Sequence, residues 1–274
     1  MAEHIQGPLY YERMGRTGPI MAFVHPNPLD QSCWLYQLAH FSTWFRCIAI
    51  DIPGYGRSPK ADPGLTLADI AAGCWEAIDD ACSSEPAILV GSSVGSQVLP
   101  YMNRLNPART AALIMSGVGY NPAKEFASKL LDAYSKKGVD YRWEHAFLGM
   151  SPAFRATPMA HFFVNLFVER NQHLDVASLL HQFRAHQIPD PDDLHSGISC
   201  PSLIITGSED GAYASATVLQ ERIPGCERKM LPGGGHTSHL EQPWLFDNFM
   251  IDFLKRHDLF PQSPGPAQAV LDTA

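Results

Sequence analysis

Residues 87–95 read Ala87-Ile88-Leu89-Val90-Gly91-Ser92-Ser93-Val94-Gly95, an apolar run that ends in Gly-x-Ser-x-Gly before a helix-compatible stretch. A strand that turns sharply into a helix through such a pentapeptide pushes the central serine out at the top of a sheet. The next backbone N–H then lies beside the hydroxyl, and glycine is needed two residues to either side because the turn is so tight. The pentapeptide alone turns up by chance in about one chain in ten of this length. Its surroundings therefore have to carry the reading, and they lie downstream and upstream of it.

A nucleophilic serine needs a base, and the base needs an acid to orient it. Downstream, Pro201-Ser202-Leu203-Ile204-Ile205-Thr206-Gly207 is a β-rich run that ends in the acidic turn Ser208-Glu209-Asp210. Leu231-Pro232-Gly233-Gly234-Gly235-His236 then places a histidine on a glycine-rich loop after the short strand 227–230. The order Ser, Asp, His differs from the chymotrypsin and subtilisin orders and is the one used by α/β-hydrolases.

The chain resembles the α/β-hydrolase superfamily over nearly its whole length. Ile20–Val24 followed by His25-Pro26-Asn27-Pro28 is similar to the family's strand and "His-Gly-x-Pro" loop. Asp51-Ile52-Pro53-Gly54-Tyr55-Gly56-Arg57-Ser58 resembles its "D-x-P-G-x-G-x-S" loop, and Gly235–Pro243 its "G-H-x-x-x-x-E-x-P" ending. The resemblance implies an α/β fold: a mostly parallel twisted sheet flanked by helices, with an inserted helical lid. It implies Ser93 as nucleophile, His236 as general base and acid, and Asp210 as orienting acid.

Val94 N–H, next to the nucleophile, and Asn27 N–H, by alignment with the family loop, would form the oxyanion hole. Here the chain departs from the pattern, because Pro26 replaces the common glycine and removes one N–H. Glu209, Asp247 and Asp252 are the competing acids, and His239 the competing histidine, read as a neighbour of the site or a surface residue. His25 is expected to make a structural hydrogen bond. Asp51, Arg57 and Ser58 are also read as structural, and Trp34 is left open between pocket and core.

The alternation of short apolar strands with helices runs to residue 119 and resumes at 200. Thr66 is placed to cap a helix over 67–82. The interval 120–199 contains helical stretches and no convincing strand. The expected organisation is a core of 1–119 and 200–257, a helical lid of 120–199 and a flexible tail of 258–274. Six of the twelve histidines fall in the lid, at 145, 161, 173, 181, 186 and 195. His181 and His186 lie about 140° apart on a helix and share no face, so these histidines read as solvent or packing residues rather than a metal site.

Hydrophobic residues make up 45% and charged residues 18% of the 274, with a formal net charge of −8 and no basic run. That balance argues against a nucleic-acid partner. No apolar stretch approaches the ~18 residues of a membrane span, and the first residues lack a secretory signal pattern, so a cytoplasmic protein is expected. The six cysteines form no metal-ligand spacing. The expected activity is serine hydrolysis of a carboxylic ester or related carbonyl compound, with no cofactor and a moderately apolar small-molecule substrate. The same resemblance leaves open lactone or C–C bond hydrolysis, a cofactor-free lyase and a small-molecule receptor. A homo-oligomer is also left open.

Overall fold

The computed structural model describes residues 4–121, 125–170 and 174–262. Seven strands form one sheet among them: β1 (Tyr11–Met14), β2 (Ile20–Val24), β3 (Arg46–Ile50), β4 (Ala87–Ser92), β5 (Thr110–Ser116), β6 (Ser202–Gly207) and β7 (Glu227–Leu231). The spatial order is β1-β3-β2-β4-β5-β6-β7. Only β1 pairs antiparallel, with β3; the other neighbours are parallel. Strands β2, β4 and β6 are buried along their whole length, as a sheet covered on both faces requires.

Eleven α-helices accompany the sheet among the described residues. They are α1 (Leu35–Phe41), α2 (Leu67–Ala81), α3 (Val94–Leu105), α4 (Glu125–Lys137), α5 (Tyr141–Leu148) and α6 (Pro152–Arg155). Then follow α7 (Pro158–Arg170), α8 (Val176–Ala185), α9 (Tyr213–Arg222), α10 (Ser238–Glu241) and α11 (Pro243–Arg256). Helix α2 begins as its sequence requires. Thr66 accepts from Asp69 N–H while the Asp69 carboxylate accepts from Thr66 N–H, so two donors at the helix start are satisfied reciprocally.

Ile70, Cys74 and Ile78 of α2 pack with Val98 and Met102 of α3 on one face of the sheet. Phe41, Phe246, Met250 and Phe253 cover the other. Full burial of each such side chain contributes roughly 1.5–3 kcal/mol, which makes these two layers the scaffold that fixes the strand ends.

Helix α1 stops at Phe41. Helices α10 and α11 are separated at Gln242 (φ −136°, ψ 60°), because the ring of Pro243 pushes the preceding residue out of helical geometry. Leu259 and Phe260, at the start of the segment read as a tail, are anchored. Leu259 N–H donates to Leu254 O, and the Phe260 ring lies 5.4 Å from Trp44 and 5.5 Å from Phe45. Residues 263–274 lie outside the described residues. No described helix is long and apolar enough to cross a membrane.

The strand order reverses between β2 and β4. Crevices outside the carboxyl ends of strands at such a point are where open α/β sheets place their sites. Asn27 follows β2 and Ser93 follows β4 at that reversal, while Asp210 follows β6 and His236 follows β7 at the same edge.

Candidate active site

Ser93 has φ 53° and ψ −114°, one of two non-glycine residues with positive φ among those described. Its N–H donates to Ser116 O at 2.8 Å, which fixes the turn to the end of β5. The flanking glycines are forced by contact. A Cβ on Gly91 would lie 2.6 Å from the backbone of Gly95, and one on Gly95 would lie 2.1 Å from Val24 O. Helix α3 thus starts pressed against β2, and the serine between the glycines has nowhere to go but out. Ser92, its neighbour, is fully buried.

Asp210 and His236 are brought together by two loops in close contact: a Cβ on Gly207 would lie 2.1 Å from Gly234 O. His236 Nδ1 and Asp210 Oδ1 are 2.9 Å apart, and Ala212 N–H also donates to Oδ1 at 2.9 Å. Burial pushes the Asp210 carboxyl up, but the adjacent imidazole and these two donors together hold it below its ordinary value. Burial likewise pushes His236 down, and the Asp210 charge outweighs it and raises the imidazole above 6.5. A carboxylate only accepts, so Nδ1 carries the proton and Nε2 of the neutral ring is left with its lone pair.

Of the competing acids, Glu209 and Asp252 are exposed. Asp247 is buried but held by Gln37 at 2.9 Å and His40 at 2.8 Å. Among the described residues Ser93 Oγ makes no hydrogen bond to His236. Such bonds are often long in ligand-free sites and tighten with substrate.

The histidine loop is braced from the helices between β5 and β6. His236 N–H donates to Gly149 O at 2.8 Å. Glu241 Oε2 accepts from Gly235 N–H at 3.0 Å and from Ser151 N–H at 3.1 Å. Behind the ring, Gly117 at φ +58° leaves no room for a side chain, since a Cβ would lie 3.2 Å from His236 Cε1.

His25 does what was expected of it. Its Nε2 accepts from Ile52 N–H and its Nδ1 lies 3.0 Å from Pro26 O, so it ties the two loops after β2 and β3. Burial pushes it down to about 4, and it stays neutral. Asp51 accepts from the N–H groups of Gln31 and Arg57, and Ser58 bridges Asp51 O and Tyr10 N–H. The Asn27 side chain accepts from the Tyr55 hydroxyl, which settles its carbonyl as a loop anchor. Trp34 is core: fully buried, 4.4 Å from the His239 ring and 5.2 Å from Phe23.

His239 corrects the surface reading. It is fully buried against Trp34 and Phe246, and burial pushes it down to about 3.

Asn27, Ser93, Val94 and Gln97 form one wall of a narrow cavity. Neither Asn27 N–H nor Val94 N–H has a backbone acceptor among the described residues. The opposite wall comes from the interposed helices: Phe126 and Leu130 of α4, His145 of α5, Phe183 of α8 and His186 just beyond it. His145 and His186 are thus neither surface nor mere packing residues. Of the aromatic residues in this interval, Phe126 and Phe183 line the cavity, whereas Phe163 and Phe167 are core and Trp143 and Phe162 face outward. His181 is partly exposed and His186 buried, in keeping with their different faces; His173 lies outside the described residues.

Residues 21–245 match the family model described as "Alpha/beta hydrolase family". A protein of Variovorax paradoxus assigned as the carbamate hydrolase RutD is 27% identical over 91% of this chain and 97% of its own. A thermophilic esterase from Thermogutta terrifontis superposes with a TM-score of 0.75 at 25% identity, covering 91% of this chain and 93% of the other. The enol-lactonase of Burkholderia xenovorans shares the fold at a TM-score of 0.79 and 20% identity, over 92% and 98% of the two chains. With its sheet order, strand-edge loops and family match in agreement, the chain belongs to the alpha/beta hydrolase family and is an enzyme, a hydrolase.

Proposed function

We propose that the chain hydrolyses a carboxylic ester or related carbonyl compound through Ser93, His236 and Asp210. The observation that carries this reading is convergence. A serine held at φ 53°, an imidazole paired at 2.9 Å with a buried carboxylate, and two backbone amides without backbone acceptors among the described residues meet at one strand edge.

Ser93 Oγ attacks the carbonyl carbon as its proton passes to His236 Nε2, and Asp210 stabilises the imidazolium so formed. The tetrahedral oxygen carries the negative charge and accepts from Asn27 N–H and Val94 N–H, each worth ~3–4 kcal/mol in such sites. Collapse breaks the bond to the leaving group, which takes the proton from Nε2 and departs, leaving an acyl-enzyme. Water then gives its proton to Nε2 and attacks the acyl carbon, and Ser93 recovers its proton as the acid leaves. The helices of 120–199 act as the lid of this site and supply the wall opposite the nucleophile.

The test is turnover of p-nitrophenyl esters from acetate to laurate by the wild type and by Ser93→Ala. Loss of turnover in the variant, with a serine-specific phosphonate labelling Ser93 in the wild type, supports the reading. Ester cleavage that survives the substitution refutes it.

A further inference from the structure

The wall opposite Ser93 carries an imidazole that the reaction does not use. His145 lines the cavity, and its ring packs beside Tyr134 and Tyr141 with centroids 5.7 and 6.1 Å away. Its Nδ1 lies 3.0 Å from the Tyr134 hydroxyl. Tyr134 is 1% exposed, and this is the hydroxyl's hydrogen-bond partner among the described residues. A buried O–H left undonated is costly, so the hydroxyl donates to Nδ1. That fixes the tautomer: the ring proton sits on Nε2, and the contact with Tyr134 is the one hydrogen bond that the His145 side chain makes among the described residues. Burial, with the nearby His236 adding to it, pushes His145 down to about 3, so the ring is uncharged at working pH.

No Lys, Arg, Asp or Glu lines the cavity among the described residues; its polar groups there are neutral ones such as Asn27, Gln97 and His145. A carboxylate drawn into such a site would lose its hydration with no cation among the described lining residues to replace it, whereas a neutral acceptor needs one neutral donor. We propose that His145 Nε2–H is a substrate-positioning donor for a second, uncharged carbonyl oxygen, so that the preferred substrates are neutral acyl compounds carrying one. Tyr134 is then a positioning residue that acts through the tautomer of His145. The proposal rests on the serine-hydrolase reading above and narrows its substrate class.

Isosteric ester pairs test it: p-nitrophenyl 4-oxopentanoate against pentanoate, and 5-oxohexanoate against hexanoate, with the anionic hemisuccinate as a third probe. In the wild type at least one oxo ester is expected to exceed its hydrocarbon twin roughly five- to tenfold in kcat/KM, the scale of one neutral hydrogen bond, and the hemisuccinate to be the poorest. The ratio falls to near one in His145→Leu and is reduced in Tyr134→Phe. A wild type without such a preference, or a preference that survives in His145→Leu, overturns the proposal.

Two readouts do not depend on turnover. Nitrogen NMR of the wild-type histidines should show a neutral His145 protonated at Nε2, and a ring protonated at Nδ1 overturns the assignment. In Ser93→Ala, 4-oxopentanamide should bind more tightly than pentanamide, and equal affinities overturn it as well. Absence of turnover on every ester would instead strike the hydrolase mechanism and leave these two measurements to decide the role of His145.

Discussion

The two walls of the cavity are built by different means. On the sheet side, position is set by backbone: Ser93 is pinned through its own N–H to Ser116 O, and Gly91 and Gly95 sit where any side chain would collide with main chain. On the helical side, position is set by side chains packed on other side chains, such as Phe183 on Tyr134 at 5.6 Å and Tyr134 edge-on to His145 at 5.7 Å. A backbone-built wall has little freedom to vary and suits chemistry that is the same for every substrate. A wall of side chains on helices can change one contact at a time, which suits selectivity. Substitutions on the first wall should therefore abolish function or folding outright, and those on the second should shift preference.

The largest effect falls on Ser93 itself. Ser93→Gly should lower kcat/KM by at least ~10⁴-fold, yet raise stability by about 1 kcal/mol. A non-glycine residue in so sparse a backbone region costs on the order of 1–3 kcal/mol, partly offset by the extra chain entropy that glycine loses on folding. Chemical denaturation of both proteins checks this, and a destabilised glycine variant would break the claim that the elbow is strained.

Next comes Asp210→Asn, expected to cost roughly 10³–10⁴-fold in kcat. Its pH behaviour has a definite sign. The proposed reaction needs neutral His236, whose pKa is raised, so the wild-type acid limb of kcat/KM is expected above pH 6.5 and should move down in the variant. For stability, the depressed Asp210 pKa gives a contribution present above 3.8 and lost as pH falls through the folded value. The raised His236 pKa gives one present below 6.5 and lost as pH rises through its folded value. Both act between pH 3.8 and 6.5, so the variant should lose more stability near pH 5 than near pH 9. Equal losses at the two values would show that the pair does not couple.

Glycine substitutions compare the walls directly. Gly95→Ala forces a Cβ to within 2.1 Å of Val24 O, a backbone atom that cannot yield, and should cost at least ~3 kcal/mol or prevent folding. Gly138, between α4 and α5, has φ +57° but nothing within 4 Å of its Cβ position, so Gly138→Ala bears the backbone term alone, about 1 kcal/mol. Similar losses at the two positions would erase the distinction.

That distinction also decides what the sequence discloses. The elbow, the acidic turn and the glycine-rich histidine loop are short contiguous runs, so Ser93, Asp210 and His236 could be named as candidates from the sequence, although the glycines around them answer to distant backbone such as Val24 O and Gly234 O. The inner strands were legible because a two-sided sheet demands continuous apolar runs, as in β2, β4 and β6. His145 and His186 carry no such mark. Whether a helical histidine faces a cavity depends on how α4, α5 and α8 pack, and that packing is written in contacts spread over some sixty residues. The surface alternative for His239 fails for the same reason: its burial comes from Trp34, two hundred positions away. Asp51 and Ser58, by contrast, sit in a turn that their own hydrogen bonds define, and their structural role was visible from the start.

The smallest expected effect sharpens the comparison most. Phe126 lines the cavity from α4, yet is 54% exposed. Little burial is lost by truncating it, so Phe126→Ala should change stability by no more than ~0.5 kcal/mol. It nevertheless removes a ring from the wall facing Ser93 and opens space without touching any backbone-held group. The ester chain-length optimum should therefore move to a longer acyl chain, with a change of a few-fold in relative kcat/KM, while the pH profile set by His236 and Asp210 stays in place. A uniform drop across all chain lengths, or a shifted pH profile, would mean that the helical wall acts on the chemistry as well as on the choice of substrate. The contacts from Gly149 and Ser151 to the histidine loop are the route by which it would do so.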